Sequence, residues 1–264
     1  MNSIIEKLAL ANDNVPKTYM AGKSGKDITS FAYYFYEGNR LDMLDYLNTS
    51  KGTDFTNMFY KCASLTTIPQ LDFSNGIIFT GMFMHCTSLT TIQQLDVSNG
   101  TDFKGMFGHC SSLTTIQQLN VSNGMDFTNM FYNCTALTTI PQLDTSNGTI
   151  FKGMFMYSTA LTTIQQLDVS NGTDFTNMFR SCVGLQNISF SGVINESISF
   201  LACSKLTIES LQSIVNALSV NTGSTNPTLT LATESWDLLE TSTPPTGYET
   251  WKDYITNYKN WLYA

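Results

Sequence analysis

Charge is what this sequence has least of: Asp, Glu, Lys and Arg make up only 13% of its 264 residues, about half the usual share. Arginine is nearly missing, with Arg40 and Arg180 alone, and the net charge is −8. Nucleic acid is therefore excluded as an expected partner, because phosphate binding depends on Lys and Arg releasing counterions. No apolar run approaches the ~20 residues of a membrane span, so no membrane insertion is expected. No Cys-x-x-Cys occurs, which removes the common zinc frameworks, and neither metal nor cofactor is expected. A phosphate-cradling glycine loop, a nucleophile elbow and a metal-protease signature are all missing. The opening MNSIIEKLALANDNVPK has no basic flank, long apolar core or cleavage-like site. The chain is expected either to stay in the cytoplasm or to leave the cell without a signal, as virus particles do on lysis.

What is present is apolar material, 42% of the chain, and an abundance of Thr, Ser, Asn and Gln in place of charge. A surface of neutral hydrogen-bonding groups suits glycans or other proteins. The Asn-Gly glycines Gly76, Gly100, Gly124, Gly148 and Gly172, with Gly52 ahead of them, recur every 24 residues without an insertion. Six copies of the pattern G-T-D-F-x-N/G-M-F-x-x-C-x-S/A-L-T-T-I span residues 52–195. Self-similarity at a fixed period of this length is the mark of a solenoid. One repeat cannot bury Phe55, Met58, Phe59, Leu65, Ile68 and Leu71 alone, so its neighbours must cover them.

Within the repeat, Thr-Thr-Ile is the expected strand, because β-branched residues favour it. Asp-Phe-x-x-Met-Phe has apolar residues at i, i+3 and i+4, which predicts a short helical turn on the opposite side. Asn-Gly is read as the bend, with Gly supplying a positive φ. A two-residue hairpin is the competing reading, but the flanking residues do not alternate for long enough. Residues 52–123 and 124–195 also match as 72-residue blocks, which implies duplication of three repeats.

Both ends read as caps. Phe31, Phe35, Tyr36, Leu41, Leu44 and Leu47 keep the register upstream, with Gly38 in the Cys position, giving a degenerate first repeat over 28–51. Downstream, Phe200, Cys203 and Leu206 echo Phe179, Cys182 and Leu185 in a short terminal coil, 196–206. Residues 207–219 predict an amphipathic helix capped by Thr207 and burying Leu211, Ile214, Val215 and Leu218. Thr228 to Leu231 resembles a strand. A helix carrying Trp251, Tyr254, Ile255 and Tyr258 is expected after Pro244-Pro245. The division is thus an N-terminal segment 1–27 (helix and linker, a possible attachment), a solenoid 28–206 and a C-terminal capping domain 207–264. An aromatic interaction surface is the alternative for that last domain.

The pattern M-F-x-x-C-x-x-L-x-x-I-x-x-L-D-x-S-N resembles the BspA-type leucine-rich repeats of bacterial surface proteins. The resemblance implies an α/β fold, a right-handed leucine-rich-repeat-type solenoid of 24-residue repeats with a small α/β C-terminal cap, used for adhesion or host contact. The opening I-I-E-K-L-A-L-A-N-D-N-V-P-K-T-Y-M-A-G-K and the later L-T-I-E-S-L-Q-S-I-V-N-A-L look like repeat proteins encoded by phages and prophages of Gram-positive gut bacteria. That setting implies a virion component, a tail or fibre, joined to other virion proteins through its termini and open to homo-oligomerisation. A cell-surface adhesin is the other setting.

Several rows of residues invite chemistry. Cys62, Cys86, Cys110, Cys134 and Cys182, with Ser158 in the vacant place, suggest either a disulfide ladder or buried free thiols. Side chains on parallel coils point the same way rather than at each other, so free thiols are expected. His85 and His109, one repeat apart, form a candidate metal pair with no third ligand beside them. Asp72, Asp96, Asp144 and Asp168, with Asn120 in register, precede Asn75, Asn99, Asn123, Asn147 and Asn171. These rows serve either calcium or turn-forming hydrogen bonds, and turns are preferred. Asp54, Asp102, Asp126 and Asp174 give way to Ile78 and Ile150, so they are read as favouring helix N-termini. Equivalent carboxylates do not supply the two differentiated groups a glycosidase needs, and no enzyme is expected. The candidate binding face is Thr67, Thr91, Thr115, Thr139 and Thr163 with Gln93, Gln117 and Gln165, for a bacterial surface glycan or protein. Strand propensity alone would equally explain the threonines.

Overall fold

The structure is a computed structural model describing residues 28–38, 47–68, 71–93 and 95–264. The expected segment 1–27, with Leu41 and Leu44 of the first repeat, lies outside the described residues. Short parallel strands form small open sheets, and none closes into a barrel among the described residues. Strands β1 (Thr91–Ile92) and β2 (Thr115–Ile116) pair in parallel, as do β3 (Thr139–Ile140) and β4 (Thr163–Ile164). Each puts Thr outward and Ile into the core. Strands β5 (Leu167–Asp168) and β6 (Phe190–Ser191) pair next, and a three-stranded sheet follows.

The longest run of pairing lies elsewhere. Single parallel bridges link Ser30, Asp54, Ile78, Asp102, Asp126, Ile150 and Asp174 in an unbroken row. Directly after it comes the segment expected to be helical, and it is not helical. Phe55, Asn57, Phe59 and Lys61 donate their N–H groups to Ile78, Thr80, Met82 and Met84 of the next repeat, each at 2.8 Å. Met58, Tyr60 and Cys62 donate back three residues, at 3.0–3.1 Å. The result is a string of β-turns in which alternate N–H groups are claimed by a neighbour, leaving no donors for an i→i−4 ladder. Such a string needs left-handed backbone at two positions in each repeat: Asn57, Gly81, Gly105, Asn129, Gly153 and Asn177 supply the first, with φ between 52° and 61°, and Lys61, His85, His109, Asn133, Tyr157 and Ser181 the second, with φ between 56° and 64°. The first position uses Asn and Gly, which tolerate this region best; the second is held there by the surrounding inter-repeat bonds.

The Asn-Gly glycines have a different role from the one expected. None of Gly52, Gly76, Gly100, Gly124, Gly148 and Gly172 adopts a positive φ. A Cβ at each would come within 3.0 Å of the Phe ring three residues on. Glycine here makes room for the core.

Two phenylalanine columns run through that core, beside columns of Met, Cys, Leu and Ile. Phe55, Phe79, Phe103, Phe127, Phe151 and Phe175 stack with ring centroids 5.6–5.8 Å apart. Phe59, Phe83, Phe107, Phe131, Phe155 and Phe179 stack at 5.3–5.9 Å. Phe31 and Phe35 extend the two columns upstream, and Phe200 closes the second at 4.7 Å from Phe179. The degenerate ends thus shield the open core edges, as end repeats must.

The C-terminal segment contains the expected helix and strand. Helix α1 (Ile208–Ala217) has Thr207 as N-cap, its hydroxyl accepting from Ser210 N, and it buries Leu211, Ile214 and Val215. Strand β8 (Thr228–Leu231) lies between β7 (Ile198–Phe200) and β9 (Leu262–Tyr263). Helix α2 (Thr233–Glu240) was not anticipated, because the single Trp236 and Leu239 of its inner face form too short a pattern to read. Helix α3 (Trp251–Asp253) runs into a π-helical turn, Tyr254–Tyr258. The aromatic-surface alternative fails for the tryptophans: Trp236, Trp251 and Trp261 are at most 6% exposed. They pack inside, with Trp251 Nε1 donating to Ser242 Oγ at 2.9 Å. Lys259 is buried too and donates to Leu218 O at 2.6 Å, placing a cation at the carbonyl end of α1.

Candidate functional site: the threonine and glutamine face

Strand geometry decides which side chains of each repeat are available to a ligand. Thr67, Gln93, Thr115, Gln117, Thr139 and Gln165 are exposed, and Thr91 and Thr163 half-exposed. Thr91 lies in register with Thr115 and Thr139 with Thr163, each pair at the ~4.8 Å spacing of parallel strands. All eight anticipated residues lie on the surface.

The adjacent threonine row separates structural from available hydroxyls. Thr114 Oγ1 donates to Thr90 O and Thr162 Oγ1 to Thr138 O, each at 3.0 Å. Those hydroxyls tie one repeat to the next. Among the described residues, the hydroxyls of Thr67, Thr91, Thr115, Thr139 and Thr163 make no such bond.

The acidic and amide rows are occupied by the backbone. Asp72, Asp96, Asp144 and Asp168 each accept from the N–H and hydroxyl of the serine two residues on, at 2.6–3.1 Å. Asn120 makes the same turn to Ser122 N. The serine bonds hold the carboxyls of Asp72 and Asp144 below their ordinary range. Asn75, Asn99, Asn123, Asn147 and Asn171 donate to serine carbonyls of the preceding repeat at 2.7–2.8 Å. The turn reading of these rows is what the geometry displays. The other acidic row caps turns rather than helices: Asp54, Asp102, Asp126 and Asp174 accept from the N–H two residues on.

His85 and His109 stack face to face, 4.1 Å apart at 9°. His109 Nδ1 is engaged by Asn133 Nδ2 at 3.1 Å. Burial holds both imidazoles below their usual range, helped by Lys61 for His85 and by His85 for His109. Stacked rings do not converge their nitrogens on one ion. No group of three or more His, Cys, Asp or Glu gathers in metal-binding geometry among the described residues.

The thiols are free and buried, and they do more than fill space. Cys62, Cys86, Cys110, Cys134 and Cys182 donate to the carbonyl of the Phe 27 residues earlier, at 3.0–3.2 Å. Ser158 Oγ makes the same bond to Phe131 O at 2.8 Å, which explains its place in the row. Cys110→Ser should accordingly cost no more than about 1 kcal/mol. Cys110→Val, with no donor and an extra branch, should cost about 1–3 kcal/mol. Urea midpoints check the ordering, and equal losses would show that the bond contributes nothing.

The repeats carrying this face are what the chain shares with other proteins. Residues 26–140 and 114–206 match the family model described as "Mycoplasma protein of unknown function, DUF285", together more than half of the chain. The chain belongs to that family. No curated protein matches it. The matched span is the repeat region, which agrees with the resemblance to BspA-like repeats and leaves the C-terminal domain outside. In this family member, reasoning from the sequence missed the turn string and the Asp54-to-Asp174 bridge row. The alternation of Asn and Gly at position 57 and its equivalents was the signal that could have found the first.

Proposed function

We propose that this chain is a non-enzymatic recognition protein, a right-handed leucine-rich-type solenoid of 24-residue repeats. It contacts a bacterial surface glycan or protein through the Thr67-to-Thr163 face, as part of a phage tail or fibre. The observation that carries this reading is the division of labour between the two threonine rows. In one, Thr90, Thr114 and Thr162 are tied into inter-repeat bonds, while the other, among the described residues, offers hydroxyls without such bonds beside exposed Gln93, Gln117 and Gln165. Ligands with many hydroxyls or amides match such a row, and repetition adds weak contacts into useful avidity.

Labelled protein should bind intact cells of a few gut bacterial strains saturably. Thr115→Arg with Thr139→Arg should reduce that binding at least tenfold, because two long cations obstruct the middle of the row. Stripping surface glycans should abolish it if the target is glycan. Absence of binding to every strain would sink the recognition reading in favour of a structural virion subunit. Binding that ignores the double variant would move the contact off this face.

A further inference from the structure

We infer that the C-terminal end of this face holds a cleft for an uncharged sugar residue, an assignment that rests on the recognition reading and gives it a ligand class. Two shallow, open depressions, of about 480 and about 380 Å³, lie where the last repeat meets α1, and both are lined by Glu209. Each has room for one sugar ring lying against the surface. They continue the threonine row, since Thr163 bridges Asn187 and Asn187 lines the second depression.

The lining selects among ligands. Neither depression has a Lys or Arg in its wall, so an anion would meet the Glu209 carboxylate with no compensating cation. An extended peptide adding itself as a strand would need backbone N–H groups along this edge. Those are already taken: Ile188 N donates to Ser210 Oγ at 3.0 Å and Phe190 N to Ser213 Oγ at 3.2 Å. What remains are side-chain groups. Glu209 accepts, Asn187 both donates and accepts, and the Ser213 hydroxyl, having accepted from Phe190 N, still has its proton to give. Gln212 commits its Nε2 to Ser242 Oγ and keeps its carbonyl oxygen for a ligand hydroxyl. Phe190 and Ile188 form the floors and are almost wholly buried, so a ligand meets chiefly the polar groups. Several donors and acceptors gathered without a cation suit the hydroxyls of a neutral sugar.

The test titrates the full chain with N-acetylglucosamine tetramer, maltotetraose, mannotetraose and glucose 1-phosphate, alongside binding to whole cells. At least one neutral oligosaccharide should bind, and the phosphate should bind more weakly than it. Glu209→Gln should weaken the neutral ligand about tenfold, as expected for a lost charge-assisted hydrogen bond. Asn187→Ala with Gln212→Ala should do at least as much, with the circular dichroism spectrum and melting temperature unchanged. Failure of all three neutral probes, or preference for the phosphate, overturns the cleft. If cells bind these variants and the wild type equally while Thr115→Arg with Thr139→Arg loses binding, recognition stands and the cleft falls.

Discussion

Raising the pH from 7 to 10 should unfold this protein steeply, because six buried thiols hold their protons in the fold and lose them outside it. Burial pushes the Cys62 thiol up to about 11 and the Cys134 and Cys203 thiols up to about 12. Cys86, Cys110 and Cys182 are driven higher still by burial and by neighbouring thiols of the same column. An unfolded thiol ionises near pH 8.5. Below that pH both states are protonated and the full stability is present. Above it the unfolded chain sheds protons that the native chain retains, so stability falls with rising pH until the folded values are reached. Each thiol contributes a slope of ~1.4 kcal/mol per pH unit, and six acting together approach ~8 kcal/mol per unit. Total stabilities of ~5–15 kcal/mol do not survive that for long. Tyr34 and Tyr254, raised by burial, push in the same direction at still higher pH. Lys259, held low by burial, pushes the other way, but it is one group.

Thermal melts followed by circular dichroism at pH 7, 9 and 10 measure this directly. The melting temperature should be level below pH 8 and fall sharply beyond 9. A variant with all six cysteines changed to Ser keeps a donor at each carbonyl, as Ser158 does, and should lose the alkaline fall. A flat profile in the wild-type protein would mean that the thiols ionise without unfolding.

Phe107→Ala should be the most damaging single truncation in the repeats. The Phe107 ring is fully buried and stacks on Phe83 and Phe131, both 5.7 Å away and within 8° of parallel. Removing it leaves a cavity bordered by two rings that cannot close, since the backbone on either side is clamped by inter-repeat bonds such as Phe107 N to Met130 O. Large-to-small changes of this kind cost ~3–5 kcal/mol, which lowers the melting temperature by about 10 °C in a chain of this size. Repeat arrays hold together through nearest neighbours, so the damage should also divide the melt into two steps. Thr115→Ala, an exposed change in the same repeat, is the control and should shift the melt by less than 2 °C. Equal effects from the two would contradict the stacked core.

Much of this was legible in the residues themselves. A period of 24 without insertion, apolar residues at fixed positions in each copy and β-branched pairs before an inward Ile are local facts, and they place the repeats, the Thr-Ile strands and the exposed Thr/Gln row. The Thr207 cap and the Thr228–Leu231 strand were readable for the same reason: each is a short pattern with its own signal. The Met-Phe turn was misread because apolar spacing at i, i+3 and i+4 fits a helix equally well. The choice was made by Ile78, Thr80, Met82 and Met84 taking the N–H groups a helix would use, and those lie a whole repeat away.

The site divides along the same line. Which threonines face outward follows from alternation along a strand, so sequence alone determined the row Thr67 to Thr163. Which hydroxyls are already spent depends on a carbonyl in the neighbouring repeat, and only the tertiary structure decided that. The reason Gly124 must be glycine is likewise the ring of Phe127 pressed against it, a matter of packing rather than of backbone preference. The cleft at Glu209 is the extreme case. Its walls come from the last repeat and from α1, and no local pattern in either announces the other.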